Sequence, residues 1–190
     1  MKGQDKVVIY LTSVQLQEKN EAVLEDYIQA IAKEDATAFE ALYEQTRTAV
    51  YGFALSVLKN THDAEDVLQE SFVRIHYGAK DYTPTGKPMA WIMTITKNLC
   101  MRKFRERKNL SDLPQEDWEL YIEANERMSV DDKLVIEQVM KTLSDEERQI
   151  VVLHALSGFK HREIAKMLDL PLATVLSKYH RALKKLKDHL

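Results

Sequence analysis

From Glu21 onward, apolar residues recur at three- and four-residue intervals. Phe39, Leu42, Tyr43, Val50, Tyr51, Ala54, Val57 and Leu58 fall on one stripe, which predicts helix with a core-facing side. Asn60, Thr61 and Asp63 supply polar side chains that can cap a new helix, in which Val67, Leu68, Phe72 and Ile75 share a face. The string YTPTGKP at residues 82 to 88 places two prolines and a glycine together, which forbids a continuous helix and predicts a short loop. After Pro88, MAWIMTITKNLCMRKFRERK reads as one long helix, apolar in its first half and basic in its second. Ser144 with Glu147 three residues later forms a capping box that opens DEERQIVVLHAL, and GFKHREIAKML and LATVLSKYHRALKKLKDHL follow as two more helices. Residues 1–22 match no period and read as an N-terminal arm. The acidic, irregular stretch 109–132 reads as a linker. The pattern therefore predicts an all-α chain of two small helical domains, 23–108 and 133–190, joined by that linker.

Charge changes this picture through its distribution. A net charge of -3 argues against duplex binding, which depends on Lys and Arg neutralising phosphates. Yet residues 97 to 108 carry many cations against the single Glu106, and Lys178, Arg181, Lys184, Lys185 and Lys187 crowd the last helix. Two basic patches thus flank an acidic segment containing Asp112, Glu116, Asp117, Glu119, Glu123, Glu126, Asp131 and Asp132. No apolar run approaches the ~20 residues that span a bilayer, so no membrane insertion and a cytoplasmic location are expected. Cys100 is the single cysteine, which excludes an internal disulfide. The chain has no Gly-rich phosphate loop, no HExxH and no Cys or His pair at metal spacing, and its six histidines are scattered. No catalytic residue, metal site or cofactor is expected.

The sharpest local motif is GFKHREIAKMLDLPLATVLSKYHRALKKL. A helix ending near Asp169, a tight turn through Leu170 and Pro171, and a second helix from about Leu172 give the spacing of a helix-turn-helix. Ile164, Ala165, Leu168, Leu170, Val175 and Leu183 are expected to pack the two helices together. Thr174, Ser177, Lys178, His180 and Arg181 would then face out toward a DNA groove, with Lys178, Arg181 and Lys184 available to phosphates.

That motif alone fits many regulators. The string DAEDVLQESFVRIH at residues 63 to 76, together with PMAWIMTITKNLCMRKFRERK, closely resembles region two of the extracytoplasmic-function group of sigma factors, and residues 143 to 187 resemble their region four. The resemblance implies a non-catalytic subunit that binds core RNA polymerase, recognises minus-35 and minus-10 promoter elements and promotes DNA melting. It implies that Glu65, Asp66, Gln69, Glu70 and Arg74 meet the beta-prime clamp helices, and that region four meets the beta flap. It places Tyr82 and Lys87 in a loop that receives a flipped base, with Tyr82 a candidate to stack on it. Lys97, Arg102, Lys103, Arg105, Arg107 and Lys108 would hold the minus-10 strand. For the minus-35 element the candidates are His161, Arg162, Thr174, Ser177, Lys178, His180, Arg181 and Lys184. An anti-sigma factor is a further implied partner, and the acidic linker is expected to pass near the active-site channel. Trp91 is expected in the core and Asn98 at a helix-helix contact.

The chain departs from the family pattern at Arg102, where an acidic residue is common, and at Ala173, Leu176 and Lys178 in the recognition helix. Lysine lacks the planar fork with which arginine reads guanine, so the minus-35 sequence stays open. Two other readings compete with this one. A stand-alone helix-turn-helix regulator explains residues 143 to 187 but leaves the DAEDVLQ helix without a role. A degenerate sigma-like factor would occupy polymerase without opening promoters.

Overall fold

A computed structural model of the chain describes residues 20–109 and 142–188; the side chains of 107–109 and 188 fall outside the description. Eight helical segments occur among the described residues. They are α1 (20–31), α2 (Ala36–Leu58), α3 (Thr61–Gly78), a single 3-10 turn (Ala79–Asp81), α4 (Pro88–Asn109), α5 (Asp145–Ala155), α6 (His161–Leu168) and α7 (Leu172–Asp188). The all-helical expectation holds for these residues. The linker and most of the arm lie outside them, but residues 20–22, assigned to the arm from sequence, already belong to α1.

The sequence pattern ran through residues 32–35 without a break, whereas the structure stops there. Glu34 takes a positive φ of 69°, and the Asp35 carboxylate accepts hydrogen bonds from the Thr37 and Ala38 amides at 2.9 and 3.1 Å. Those bonds satisfy donors that the first turn of α2 would otherwise leave orphaned. α2 ends at Lys59, left-handed with φ 54°, and α3 restarts at once, its Asp63 amide donating to Asn60 Oδ1 at 2.9 Å. Pro88 opens α4 in its first turn, where an amide hydrogen would have no acceptor within the helix.

α1 to α4 form a bundle. Leu24, Ile28, Ile31, Leu42, Val50, Phe53, Phe72, Ile75, Ile92 and Met93 are buried in it, and Phe39 and Tyr43 meet Phe72 edge-on at 6.1 and 4.7 Å. A second knot of apolar residues, Leu55, Leu58, Val67, Leu99 and Cys100, closes the end of the bundle where α4 turns basic. Burial pushes the Cys100 thiol up to about 12, so it behaves as a small core residue.

α5 to α7 form the smaller unit. The Ser144–Glu147 capping box is present, and buried Glu147 also takes the Lys185 ammonium at 2.6 Å. Ile164, Ala165 and Val175 pack the helix-turn-helix as expected, with Asp169 capping α6 at φ 55°. Leu183 does not: it is 41% exposed, and Ala182 holds the core position instead. The α7 stripe shifts by one residue because it must meet α5 as well as α6.

The two units are not apart. Ile150, Val152 and Leu153 of α5 and Phe159 beyond it join the same buried cluster as Val50 and Phe53 of α2. The two meet closely at Gly52, where an added Cβ would lie 3.0 Å from Leu156 Cδ1 and 3.6 Å from Val152 Cγ1.

Candidate functional site

Three surfaces carry the chemistry, beginning with the outer face of α3. Val67, Phe72 and Ile75 point inward, which leaves Glu65, Asp66, Gln69 and Arg74 exposed and Glu70 half-buried. α4 crosses this helix, Ser71 Oγ meeting Thr96 Oγ1 at 3.4 Å in the buried seam. The crossing brings the basic half of α4 over the acidic face of α3. Lys103 pairs with Asp66 and, at 3.4 Å, with Asp63. Arg102 pairs with Glu70, which also holds Arg74 at 3.0 Å. The Lys103 ammonium holds Asp66, and the Arg102 guanidinium holds Glu70, below the ordinary carboxylate range. Desolvation works against charge on Lys103, but Asp66 and Asp63 outweigh it and raise its pKa. Two residue sets that the sequence assigned to different partners are therefore salt-bridged to each other.

Along the same face Val73 and Tyr77, one turn apart, are 53% and 74% exposed. Sequence reasoning passed over them, although the i, i+4 spacing of two apolar residues beside Arg74 was a readable signal. Arg105 is exposed and donates to the Met101 carbonyl of its own helix at 3.1 Å. The Arg107 and Lys108 side chains lie outside the described residues.

The second surface is the loop between the 3-10 turn and α4. One oxygen of Glu25 on α1 accepts the Tyr82 hydroxyl at 2.9 Å and the Thr85 and Gly86 amides at 2.9 and 3.2 Å. Gly86 has φ 68°, where a side chain would be strained. Burial and the bond to Glu25 raise the Tyr82 pKa. Its ring lies 4.8 Å from that of Trp91, which in turn covers Gly78. Tyr82 thus braces the loop rather than offering a free stacking face, contrary to the expectation from sequence. Glu25 was missed because its partners are some sixty positions away, at |i−j| of 57 to 61. Trp91 packs partly against the core as expected, while Asn98 is exposed and lines a cleft instead of tying two helices.

That cleft, about 390 Å³, lies between α4 and the helix-turn-helix, with Lys87, Thr94, Lys97, Glu163 and Met167 on its walls. Lys87 meets Glu163 Oε1 at 2.6 Å, and the Lys97 ammonium bonds the Met167 carbonyl. Two cations assigned to the minus-10 strand are therefore engaged by the other unit.

The third surface is α7. Ser177, His180, Arg181 and Lys184 are exposed and Thr174 is half-buried, as is Lys178, whose ammonium turns back to Glu146 at 2.5 Å instead of facing out. His161 also leaves the expected surface. Its ring stacks on His154 at 4.6 Å, and Tyr179 lies edge-on to both. Its Nε2 is buried without a hydrogen-bond partner. Desolvation, then the neighbouring His154 and His180, hold its pKa below the ordinary histidine value. Arg162 is exposed at the start of α6. No group of His, Cys, Asp and Glu among the described residues can hold a metal ion, and no described helix is long and apolar enough to cross a membrane.

Comparison with known proteins matches residues 42–110 to the family model "Sigma-70 region 2" and residues 133–186 to "Sigma-70, region 4". The ECF RNA polymerase sigma factor SigK of Mycobacterium sp. (strain KMS) is 26% identical over 172 residues, covering 87% of this chain and 89% of SigK. The ECF RNA polymerase sigma factor SigE of Mycolicibacterium smegmatis is 30% identical over 165 residues, covering 80% of this chain and 62% of SigE. Two solved structures share the fold. RpoE in complex with the anti-sigma factor NepR from Bartonella quintana has a TM-score of 0.59 at 19% identity, covering 80% of this chain and 95% of RpoE. CnrH in complex with the cytosolic domain of CnrY has a TM-score of 0.56 at 22% identity, covering 87% and 96%.

Proposed function

This chain belongs to the extracytoplasmic-function group of the sigma-70 family, non-catalytic initiation subunits that bind RNA polymerase, and from that premise we propose how its surfaces divide the work. The bundle, roughly 23–108, is the region-two domain; α5 to α7 carry region four, and the acidic stretch between them is the linker. The α3 face of Glu65, Asp66, Gln69, Glu70 and Arg74, extended by exposed Val73 and Tyr77, docks on the beta-prime clamp helices. A rigid helix with acidic, amide and apolar groups side by side suits a specific protein interface. Region four also meets the beta flap.

α4 and the loop before it take the melted minus-10 strand. Separating stacked bases costs a few kcal/mol per step; the loop braced by Glu25, with Lys87, takes the exposed nucleotide, and Lys97, Arg102, Lys103 and Arg105 farther along α4 supply cations for the phosphates that follow. Arg181, His180 and Lys184 on α7, with Arg162, meet the minus-35 duplex. An anti-sigma factor is a partner on this reading, since RpoE was solved in complex with the anti-sigma factor NepR. The chain would act in the cytoplasm with the polymerase it serves.

The observation that most supports this division is the contiguity of an acidic α3 face and a basic α4 end in one unit, with a helix-turn-helix in the other. Replacing Asp66 and Glu70 together by Ala is expected to weaken binding to purified core polymerase about tenfold or more; unaltered affinity removes the clamp assignment.

A further inference from the structure

The residues from Thr83 to Lys87 are all exposed, so the loop before α4 has no apolar core of its own. Packing fastens its two ends. Tyr82 lies against Trp91, and its amide donates to the Ala79 carbonyl at 3.3 Å. At the other end the Met89 side chain is buried, and its amide donates to Glu21 Oε2 at 3.3 Å. Glu21 thereby takes a first-turn amide of α4 that has no acceptor within its own helix.

A single atom holds the middle. Glu25, one turn beyond Glu21 on the same face of α1, accepts through Oε1 the Tyr82 hydroxyl and the Thr85 and Gly86 amides at 2.9, 2.9 and 3.2 Å. Two successive amides can aim at one acceptor because Gly86 turns left-handed at φ 68°, and such a nest is a binding place for an anion. Here the anion is the chain's own carboxylate, to which hydrogen bonds are stronger than those between neutral groups. A DNA phosphate therefore finds the nest taken. On the other side of Gly86 an added Cβ would meet nothing within 4 Å, and Thr83 and Thr85 stay exposed around it. The turn is thus fixed from inside and open outside.

A base taken out of the stack is recognised by stacking and by hydrogen bonds to its edge. An exposed loop discriminates between bases only when its backbone is set beforehand, because a loop free to re-form accommodates several. Nothing in the loop itself sets it; Glu25 does.

We propose that Glu25 is the positioning residue for base selection in the minus-10 strand: through Tyr82, Thr85 and Gly86 it fixes the loop in a single shape that accepts one kind of flipped base, while touching no DNA itself. This rests on the sigma-factor reading for the DNA, whereas the clamp on the loop stands apart from it.

The test has two arms. In the free full chain, amide exchange followed by NMR is expected to be about tenfold or more slower at Thr85 and Gly86 in the parent than in Glu25→Ala. Equal exchange overturns the clamp, whatever the chain does with polymerase. In holoenzyme assembled from purified core, parent and variants are given duplexes with a randomised single-stranded end, and the bound molecules are sequenced. The parent is expected to favour one base about fivefold or more at one position, the lower end of what a wrong base costs. Glu25→Ala is expected to lose that preference while keeping the others and its affinity for core. Glu25→Gln, which retains an acceptor oxygen without the charge, is expected to fall between the two. An unchanged base profile in Glu25→Ala overturns the positioning role. So does a uniform loss at every position, which would mean that Glu25 serves the bundle rather than the loop. A parent with no base preference anywhere overturns the minus-10 reading and this proposal together, and the exchange arm tells that failure from a missing clamp.

Discussion

Region two and region four present their cations in opposite ways. On α4, Arg102 and Lys103 are tied to Glu70 and Asp66, and Lys87 and Lys97 are tied to region four. On α7, His180, Arg181 and Lys184 stand exposed, and the recorded side-chain bond of Arg181 is to Ser177 O of its own helix. Carboxylates of α3 hold Arg102 and Lys103, and Glu163 and the Met167 carbonyl hold Lys87 and Lys97, whereas on α7 Lys178 and Lys185 fold back onto Glu146 and Glu147 and leave those three exposed. Single-stranded DNA binding is an unselective, phosphate-driven contact, so on the proposed reading a guarded surface suits a subunit that meets DNA together with polymerase. A helix that reads duplex edges needs less guarding, because base contacts supply its specificity.

The largest expected effect lies on the open side. Arg181→Ala should cost about 2 kcal/mol in binding of a minus-35 duplex, within the ~1–3 kcal/mol of a lost base-edge contact, while leaving the melting temperature unmoved. Fluorescence anisotropy with labelled duplex checks it, and an unchanged affinity would remove α7 from the recognition role. Next, Glu147→Ala should destabilise region four by about 1–2 kcal/mol, since it removes half of a capping box and the carboxylate that pairs with Lys185. Chemical denaturation followed by circular dichroism measures the loss, and a stability equal to the parent's would show the box to be idle.

Smaller effects sharpen the contrast on the guarded side. A double-mutant cycle on Glu70 and Arg102 should give a coupling of about 0.5 kcal/mol in the free chain, the range of exposed pairs. In holoenzyme the same cycle, read through core affinity, should change value as the clamp takes Glu70. Identical coupling in both states would mean that polymerase does not uncover Arg102.

The smallest effect concerns pH. Folding depresses the His161 pKa, so the unfolded chain takes up the proton first as pH falls through about 6.5. Region four should therefore be fully stable above that value and lose stability below it. The groups facing His161 are His154, His180 and Tyr179. His161→Phe, which keeps an aromatic ring in the stack, should flatten the part of the loss between about pH 6.5 and 5, above the carboxylate range. Parallel pH curves for parent and variant would show that the stack carries no linkage.

Much of this was legible in the sequence where local rules operate. The Ser144–Glu147 box, the loop at residues 82 to 88, the turn after Asp169 and the inward stripe of α3 each rest on short-range spacing along the chain. The break at residues 32–35 was not legible, because it uses no glycine or proline, only Asp35 as a cap and Glu34 at positive φ. Leu183 was misplaced since a two-helix pattern was applied to a helix that packs on two others. The orientations of Tyr82 and His161 were not legible for a shared reason: each ring is engaged by partners distant in sequence, Trp91 and Glu25 in one case, His154 and Tyr179 in the other. Facing direction is a tertiary property, and the pairing of the α3 acids with the α4 bases belongs to the same class.

The account stands most directly on transcription itself. Purified core polymerase supplied with a pooled genomic template, with and without this chain, should yield new transcript starts that share two spaced upstream elements only when the chain is present. Tight binding to core with no new starts would contradict it in favour of a non-opening sigma-like factor, and DNA binding without core binding would contradict it in favour of a stand-alone regulator.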